Sequence, residues 1–213
     1  MAAADLAYDF TKQRILDGRL PGGEMISEGE VAAEVGVSRT PVREAFLRLE
    51  GEGLLRLYPK RGALIVPVST GEIENVMETR LLVERHAIEK VVRSGAPVAE
   101  SLRAEVRRQE TLVARGDSAR FVESDREFHR VVVAAAGNPI LLQLHDSLRD
   151  RQSRMGLAAL ARDERRMTQI VDEHRDLVAA LAEPSPTRAV RTIERHLAGT
   201  LRLLRTDSAP PRP

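Results

Sequence analysis

A tight turn followed directly by a helix is predicted by the stretch GVSRTPVREA, residues 36–45. Gly36 suits the turn, and Ser38 suits the position that caps a helix. Pro41 falls in the first helical turn, where proline is tolerated. Four apolar residues then recur on one side at helical spacing, namely Val42, Ala45, Phe46 and Leu49. We therefore expect a helix that runs to about Glu50.

The flanking segments complete a compact unit around this helix. Before the turn, Ser27 and Glu30 have the spacing of a capping box and open a short helix, which follows an earlier helix at residues 5–17. A helix, a glycine turn and a second capped helix are typical of a helix-turn-helix. Two strands at 54–58 and 63–68, joined by a basic turn, predict a hairpin wing after it.

Arginines on the second helix indicate what this unit binds. Arg39 and Arg43 lie four residues apart, so they share one helix face. In a major groove, an arginine near the start of such a helix can bind guanine O6 and N7. The alternative, two solvated surface arginines, does not account for the capped turn before them and the basic wing after them.

These residues resemble the GntR family of winged-helix transcription regulators over about residues 5–68. The resemblance implies that Arg39, Thr40 and Arg43 contact DNA, and that Gly62 is the wing glycine beside the basic Arg61. This chain departs from the family pattern at one position. Gly29 stands where the family commonly has an arginine, which implies a different DNA affinity or half-site preference.

The remainder of the chain predicts helices only, six of them between residues 73 and 204. One contains Asp125 and His129, which share a helix face because they are four residues apart. The last two helices flank a proline-bounded turn at 184–186, and Ser185 is the midpoint between His174 and His196. If these helices pair as a hairpin, the two histidines stand at the same level, each about 16 Å from the turn. One carboxylate and three imidazoles would then converge.

A second resemblance covers about residues 72–205, on motifs that include Asp125, His129, His174 and His196. These motifs are similar to those of the FCD ligand-binding domain of the FadR subfamily. The resemblance implies that these four residues bind a divalent metal. The expected fold is mainly α, with a winged helix-turn-helix (three helices plus a β-hairpin wing) at residues 1–68 and an all-α six-helix FCD bundle at 69–205. A disordered tail is expected at 206–213.

The ligand set restricts the metal. Three imidazoles and one carboxylate suit Zn or Ni first, then Mn or Co, rather than Ca or Mg. The resemblance implies a metal that presents a small carboxylate or hydroxycarboxylate effector, and Arg80 is our candidate partner for that carboxylate. A purely structural metal and direct sensing of the metal are the alternatives. His86 and His145 are expected to be ordinary histidines, because neither has a matching partner.

Composition excludes several classes of protein. The 213 residues contain no cysteine, which excludes disulfides and thiolate chemistry, and the net charge is only +1. No apolar run is long enough to span a membrane, and no signal peptide is evident, so we expect a cytoplasmic protein. A nucleophile elbow and a phosphate loop are missing, which leaves a metal-dependent hydrolase as a remote alternative. The expectation is a regulator, not an enzyme, that binds operator DNA as a homodimer.

Overall fold

The computed structural model describes residues 2–161, 163 and 165–205. These residues form two compact units, of which the first ends at Val68 and the second begins at Ser69. No helix in these ranges is long and apolar enough to cross a membrane. The expected disorder of residues 206–213 lies outside the described residues.

The first unit is a three-helix winged fold, as the sequence predicts. Its helices and strands, in chain order, are α1 (Ala3–Leu16), β1 (Met25–Ile26), α2 (Glu28–Val35), α3 (Arg39–Gly51), β2 (Leu55–Tyr58) and β3 (Gly62–Ile65). The capping box that opens α2 is present, because Ser27 accepts from the Glu30 amide while the Glu30 side chain accepts from the Ser27 amide. The predicted apolar side of α3 is fully buried in the core of this unit.

Two details of the first unit differ from the expectation. Ser38 occupies the capping position of α3 but makes no capping hydrogen bond with its side chain. One of the two amides that a capping side chain can bind belongs to the third helical residue, and it is missing here because Pro41 has no N–H. The wing is also larger than a hairpin, since β1 pairs with β3 to give an antiparallel sheet of order β1-β3-β2.

The sheet explains why residue 62 is a glycine. Gly62 has a φ of +102°, a conformation that other residues rarely adopt. A β-carbon at this position would collide with the carbonyl oxygen of Ile26 on β1. Gly62 is thus required by the close approach of β1 and β3, whether or not the wing contacts DNA.

We expect Gly62→Ala to destabilise the N-terminal unit by at least about 1–3 kcal/mol, because it adds both backbone strain and a steric clash. Gly51→Ala is the matched control, since a β-carbon at Gly51 meets nothing within 4 Å and Gly51 has no positive φ. That control should be neutral or slightly stabilising. Denaturant unfolding followed by circular dichroism measures both, and equal stability of the two variants would contradict the role given to Gly62.

The second unit is helical throughout its described residues. Its helices are α4 (Thr70–Ser94), α5 (Ala99–Arg115), α6 (Ser118–Ala135), α7 (Pro139–Ser147), α8 (Arg149–Leu160), α9 (Arg166–Leu181) and α10 (Thr187–Arg205). The sequence predicts one continuous helix from Pro139 to about residue 161, the fourth of the six in this unit, but the structure divides it at Leu148 into α7 and α8. Helix α6 packs against α4, α5 and α8, and α9 packs against α5 and α10. This packing places the interior faces of α4, α6, α9 and α10 together.

Candidate metal centre and DNA-contacting residues

The structure brings the four predicted metal ligands together. Asp125 and His129 come from α6, His174 from α9 and His196 from α10, and one donor atom of each lies within 4.8 Å of the others. The Oδ1 atom of Asp125 is 3.5 Å from His174 Nε2 and 3.9 Å from His129 Nε2. One ion with bonds of about 2.0–2.2 Å joins donors up to about 4.4 Å apart. Small side-chain adjustments therefore suffice to coordinate one ion.

Three of these donor atoms are buried and have no hydrogen-bond partner: His129 Nε2, His174 Nε2 and Asp125 Oδ1. Leaving a buried polar atom unpaired costs about 1–3 kcal/mol. A cluster of such atoms around one point is unfavourable unless something satisfies it. A divalent cation would satisfy all three at once, so the residues present fit a metal.

Each histidine is oriented by a contact on its other ring nitrogen. The Nδ1 atom of His129 is 2.8 Å from a Glu84 oxygen, and His196 Nδ1 is 2.6 Å from a Glu173 oxygen. His174 Nδ1 lies 2.8 Å from the side-chain oxygen of Gln109. An acceptor at Nδ1 holds the proton there and leaves the Nε2 lone pair free for a metal. All three imidazoles thus present the same atom to the centre.

The electrostatic setting favours the neutral forms of His174 and His196. Burial lowers the pKa of His174 well below its ordinary value of 6.5, and the nearby His196 and His129 lower it further. Burial also lowers the pKa of His196, although its contact with Glu173 opposes this change. A neutral imidazole binds a cation without first losing a proton. These two imidazoles can therefore bind a metal without releasing a proton.

Sequence reasoning missed the importance of Glu84, which lies on α4 and is almost fully buried. Its carboxylate contacts His129 and also accepts a 2.8 Å hydrogen bond from Arg80 Nε. Burial raises the pKa of Glu84, but Arg80 and His129 lower it, and the net pKa is well below its ordinary value. The available signal was a glutamate on the apolar face of α4, four residues after Arg80.

Gln109 and Glu173 were also missed as orienting residues. Gln109 continues the buried face of α5 that contains Leu102 and Val106, so it is a polar residue at a core position. Glu173 directly precedes His174 in sequence. It holds His196, and it receives two hydrogen bonds from Arg166, of 3.0 and 3.1 Å.

Two histidines outside the cluster have different surroundings. His86 is exposed on α4, as expected for an ordinary histidine. His145 is a buried core histidine, and its Nε2 atom lies 3.6 Å from a Glu84 oxygen. The sequence could not show this proximity, because Glu84 lies on another helix, 61 positions before His145.

Arg80, the predicted carboxylate partner, is buried beside the candidate metal site. Its Nε atom is held by Glu84, but its Nη2 atom has no hydrogen-bond partner. Arg80 and Asp125 line the same cavity between the helices of the second unit. An anion in this cavity would be within the reach of both the guanidinium and a metal held by Asp125.

The predicted DNA-contacting side chains are exposed in the first unit. Arg39 and Thr40 open α3, and Arg43 follows one turn later. The Nε atom of Arg43 lies 3.9 Å from a Glu28 oxygen, a loose contact of an arginine that is 73% exposed. Arg61 is exposed on the turn between β2 and β3. A β-carbon placed on Gly29 would lie 3.3 Å from the Nη2 atom of Arg39.

Family models match both units. The model described as "Bacterial regulatory proteins, gntR family" matches residues 4–65, and that described as "FCD domain" matches residues 75–199. The chain is 31% identical over 198 residues to the "Probable D-xylose utilization operon transcriptional repressor" of Paenarthrobacter nicotinovorans, covering 93% of this chain and 87% of that protein. It is 27% identical to the "HTH-type transcriptional repressor RspR" of Escherichia coli, covering 89% and 83%.

Solved structures share the fold. A GntR transcriptional regulator from Rhodococcus sp. RHA1 matches with a TM-score of 0.75 at 19% identity, covering 94% of this chain and 96% of that one. McbR/YncC of E. coli matches with a TM-score of 0.72 at 20% identity, covering 96% and 97%. The winged N-terminal unit, the helical second unit and both family models agree. This chain belongs to the GntR family of bacterial transcriptional regulators and contains an FCD domain.

Proposed function

We propose that this DNA-binding regulator responds to a small carboxylate or hydroxycarboxylate that binds at a metal held by Asp125, His129, His174 and His196. The observation that carries the proposal is the group of unpartnered donor atoms next to an unpartnered arginine. The Nε2 atoms and the Asp125 oxygen fit a metal, and Arg80 Nη2 in the adjoining cavity fits a carboxylate. Zn or Ni is the preferred ion, with Mn and Co as alternatives.

The chain's own residues have separate roles in this proposal. A bound divalent ion supplies open coordination positions for an oxygen of the acid. Glu84, Gln109 and Glu173 hold the three imidazoles in the orientation that the ion needs. Arg80 binds the carboxylate, and Glu84 keeps the Arg80 guanidinium in place through its 2.8 Å hydrogen bond. The site has the parts for binding, and the proposed role is sensing rather than catalysis.

For the DNA side, we propose that Arg39, Thr40 and Arg43 contact base edges and phosphates, and that Arg61 contacts DNA from the wing. Two copies of the chain would form a homodimer on a palindromic or nearly palindromic operator in the cytoplasm. Acid binding would change the operator affinity. By linkage, the operator must then change the acid affinity by the same factor.

The test is calorimetric titration of small acids into metal-loaded and metal-free protein, paired with operator binding. Acid binding that requires the metal and alters operator affinity supports the proposal. If the metal is purely structural, acids will bind equally with and without it, or not at all. If the metal itself is the signal, operator affinity will change with free metal concentration in the absence of any acid.

A further inference from the structure

The cavity beside the candidate metal site is lined by more polar side chains than the binding of a simple carboxylate requires. It is lined mostly by apolar side chains, but Arg80, Gln152 and Arg166 also line it, from α4, α8 and α9. All three side chains are buried. Each has one nitrogen without a hydrogen-bond partner: Arg80 Nη2, Gln152 Nε2 and Arg166 Nε. Three residues from three helices line one cavity and have unpaired N–H groups, which favours an oxygen-bearing ligand there.

The proposed carboxylate accounts for only one of these donors. Arg80 would bind it next to the metal, which leaves the N–H groups of Gln152 and Arg166 unexplained. These two residues come from different helices than Arg80. A ligand that satisfies them needs a second oxygen acceptor, separated from the carboxylate by an apolar stem that suits the remaining lining.

Charge indicates that the second acceptor is neutral. The two Nη atoms of Arg166 already bind the Glu173 carboxylate at 3.0 and 3.1 Å, and Nη2 also donates to Thr200 at 3.1 Å. Its positive charge is therefore balanced, although its Nε–H is still available. Gln152 is uncharged. A hydroxyl or carbonyl oxygen satisfies both donors without placing a second negative charge beside Glu173.

We infer that the effector is a small carboxylic acid with a second, neutral oxygen that hydrogen-bonds to Gln152 and Arg166. This inference rests on the proposed function, since it places the carboxylate at Arg80 and the metal. It adds the chemistry of the other end of the ligand. Gln152 and Arg166 then determine specificity, because an acid without the second oxygen leaves their N–H groups unpaired in the cavity.

A matched series of probes tests this inference on the zinc-loaded protein. Straight-chain acids of three to six carbons are titrated calorimetrically in three forms: the plain acid, the ω-hydroxy acid and the dicarboxylic acid. We expect the ω-hydroxy acid to bind at least tenfold more tightly than the other two forms at one chain length or more. A preference for the hydroxy acid of less than tenfold at every chain length would overturn the inference.

Two variants identify the residues responsible. Gln152→Leu keeps the size of the side chain and removes one of the two N–H donors, so it should lower the ratio of hydroxy-acid affinity to plain-acid affinity toward one. Arg126, a half-buried third arginine of the cavity lining, is the side chain that would pair with a second carboxylate if the neutral choice were wrong. If a dicarboxylate binds most tightly of the three forms, and Arg126→Gln loses that binding, then the second acceptor is charged and the inference is wrong. The wild-type series alone decides the matter if Gln152→Leu does not fold.

The same titrations separate this inference from the function on which it rests. Plain acids that bind only to the zinc-loaded protein, with no preference for a second oxygen, contradict the inference and support the proposed function. Acids that bind equally to metal-free protein contradict the proposed function. A complete absence of binding across the series contradicts both.

Discussion

His174→Ala is expected to abolish metal binding at physiological metal concentrations, and acid binding with it. The variant removes one of the three imidazole donors. In the wild type, its Nε2 atom lies 3.5 Å from Asp125 Oδ1, another of the candidate ligand atoms. Loss of an orienting residue outside the ligand set typically weakens metal binding 10–100-fold. Loss of a ligand should exceed that range. Competition with a chromophoric chelator measures the metal affinity, and calorimetry measures acid binding.

His86→Ala is the matched control for this variant, because it also removes a histidine from the second unit but at an exposed position on α4. It should keep wild-type affinity for metal and acid. Circular dichroism of both variants checks that the helices are intact. The metal assignment fails if His174→Ala binds metal as tightly as His86→Ala does. If His174→Ala loses metal binding but still binds the acid, the four residues form a metal site that takes no part in effector binding.

Arg43→Ala is expected to weaken binding to operator DNA by about 1–3 kcal/mol and to relax the base preference at one position. Arg43 is exposed on the first turns of α3 and only loosely held by Glu28, so its guanidinium is available for a guanine edge. Binding should be measured with operator DNA selected from a random library, at several salt concentrations. The salt dependence reports how many phosphate contacts are lost.

Arg43→Lys distinguishes base contact from phosphate contact. Lysine keeps the positive charge but loses the planar fork that binds two guanine acceptors together. If Arg43 binds a base, Arg43→Lys should lose most of the discrimination while retaining the non-specific affinity. If Arg43→Ala weakens binding equally on every DNA sequence and keeps the discrimination between operator and other DNA, then Arg43 contacts phosphate alone.

Local patterns determined much of what is known here. The winged fold follows from a capping box, a glycine turn and periodic apolar residues, each of which involves positions only a few residues apart. The four candidate ligands were predicted partly in this way and partly from their resemblance to FCD motifs. Asp125 and His129 share a helix face by spacing, and the turn centred on Ser185 places His174 and His196 at one level. Such inferences succeed because helix geometry relates nearby positions without any knowledge of packing.

Only the tertiary structure decided what surrounds those ligands. Gln109 and His174 are 65 positions apart, and Glu84 is 45 positions from His129, yet both pairs are in contact. The pairing of β1 with β3, which explains Gly62, is equally long-range. Helical periodicity states that Glu84 and Gln109 lie on buried faces, but not which buried groups meet them. That choice depends on how whole helices pack, so the chain's local pattern indicated the candidate ligands and the packing determined which residues contact them.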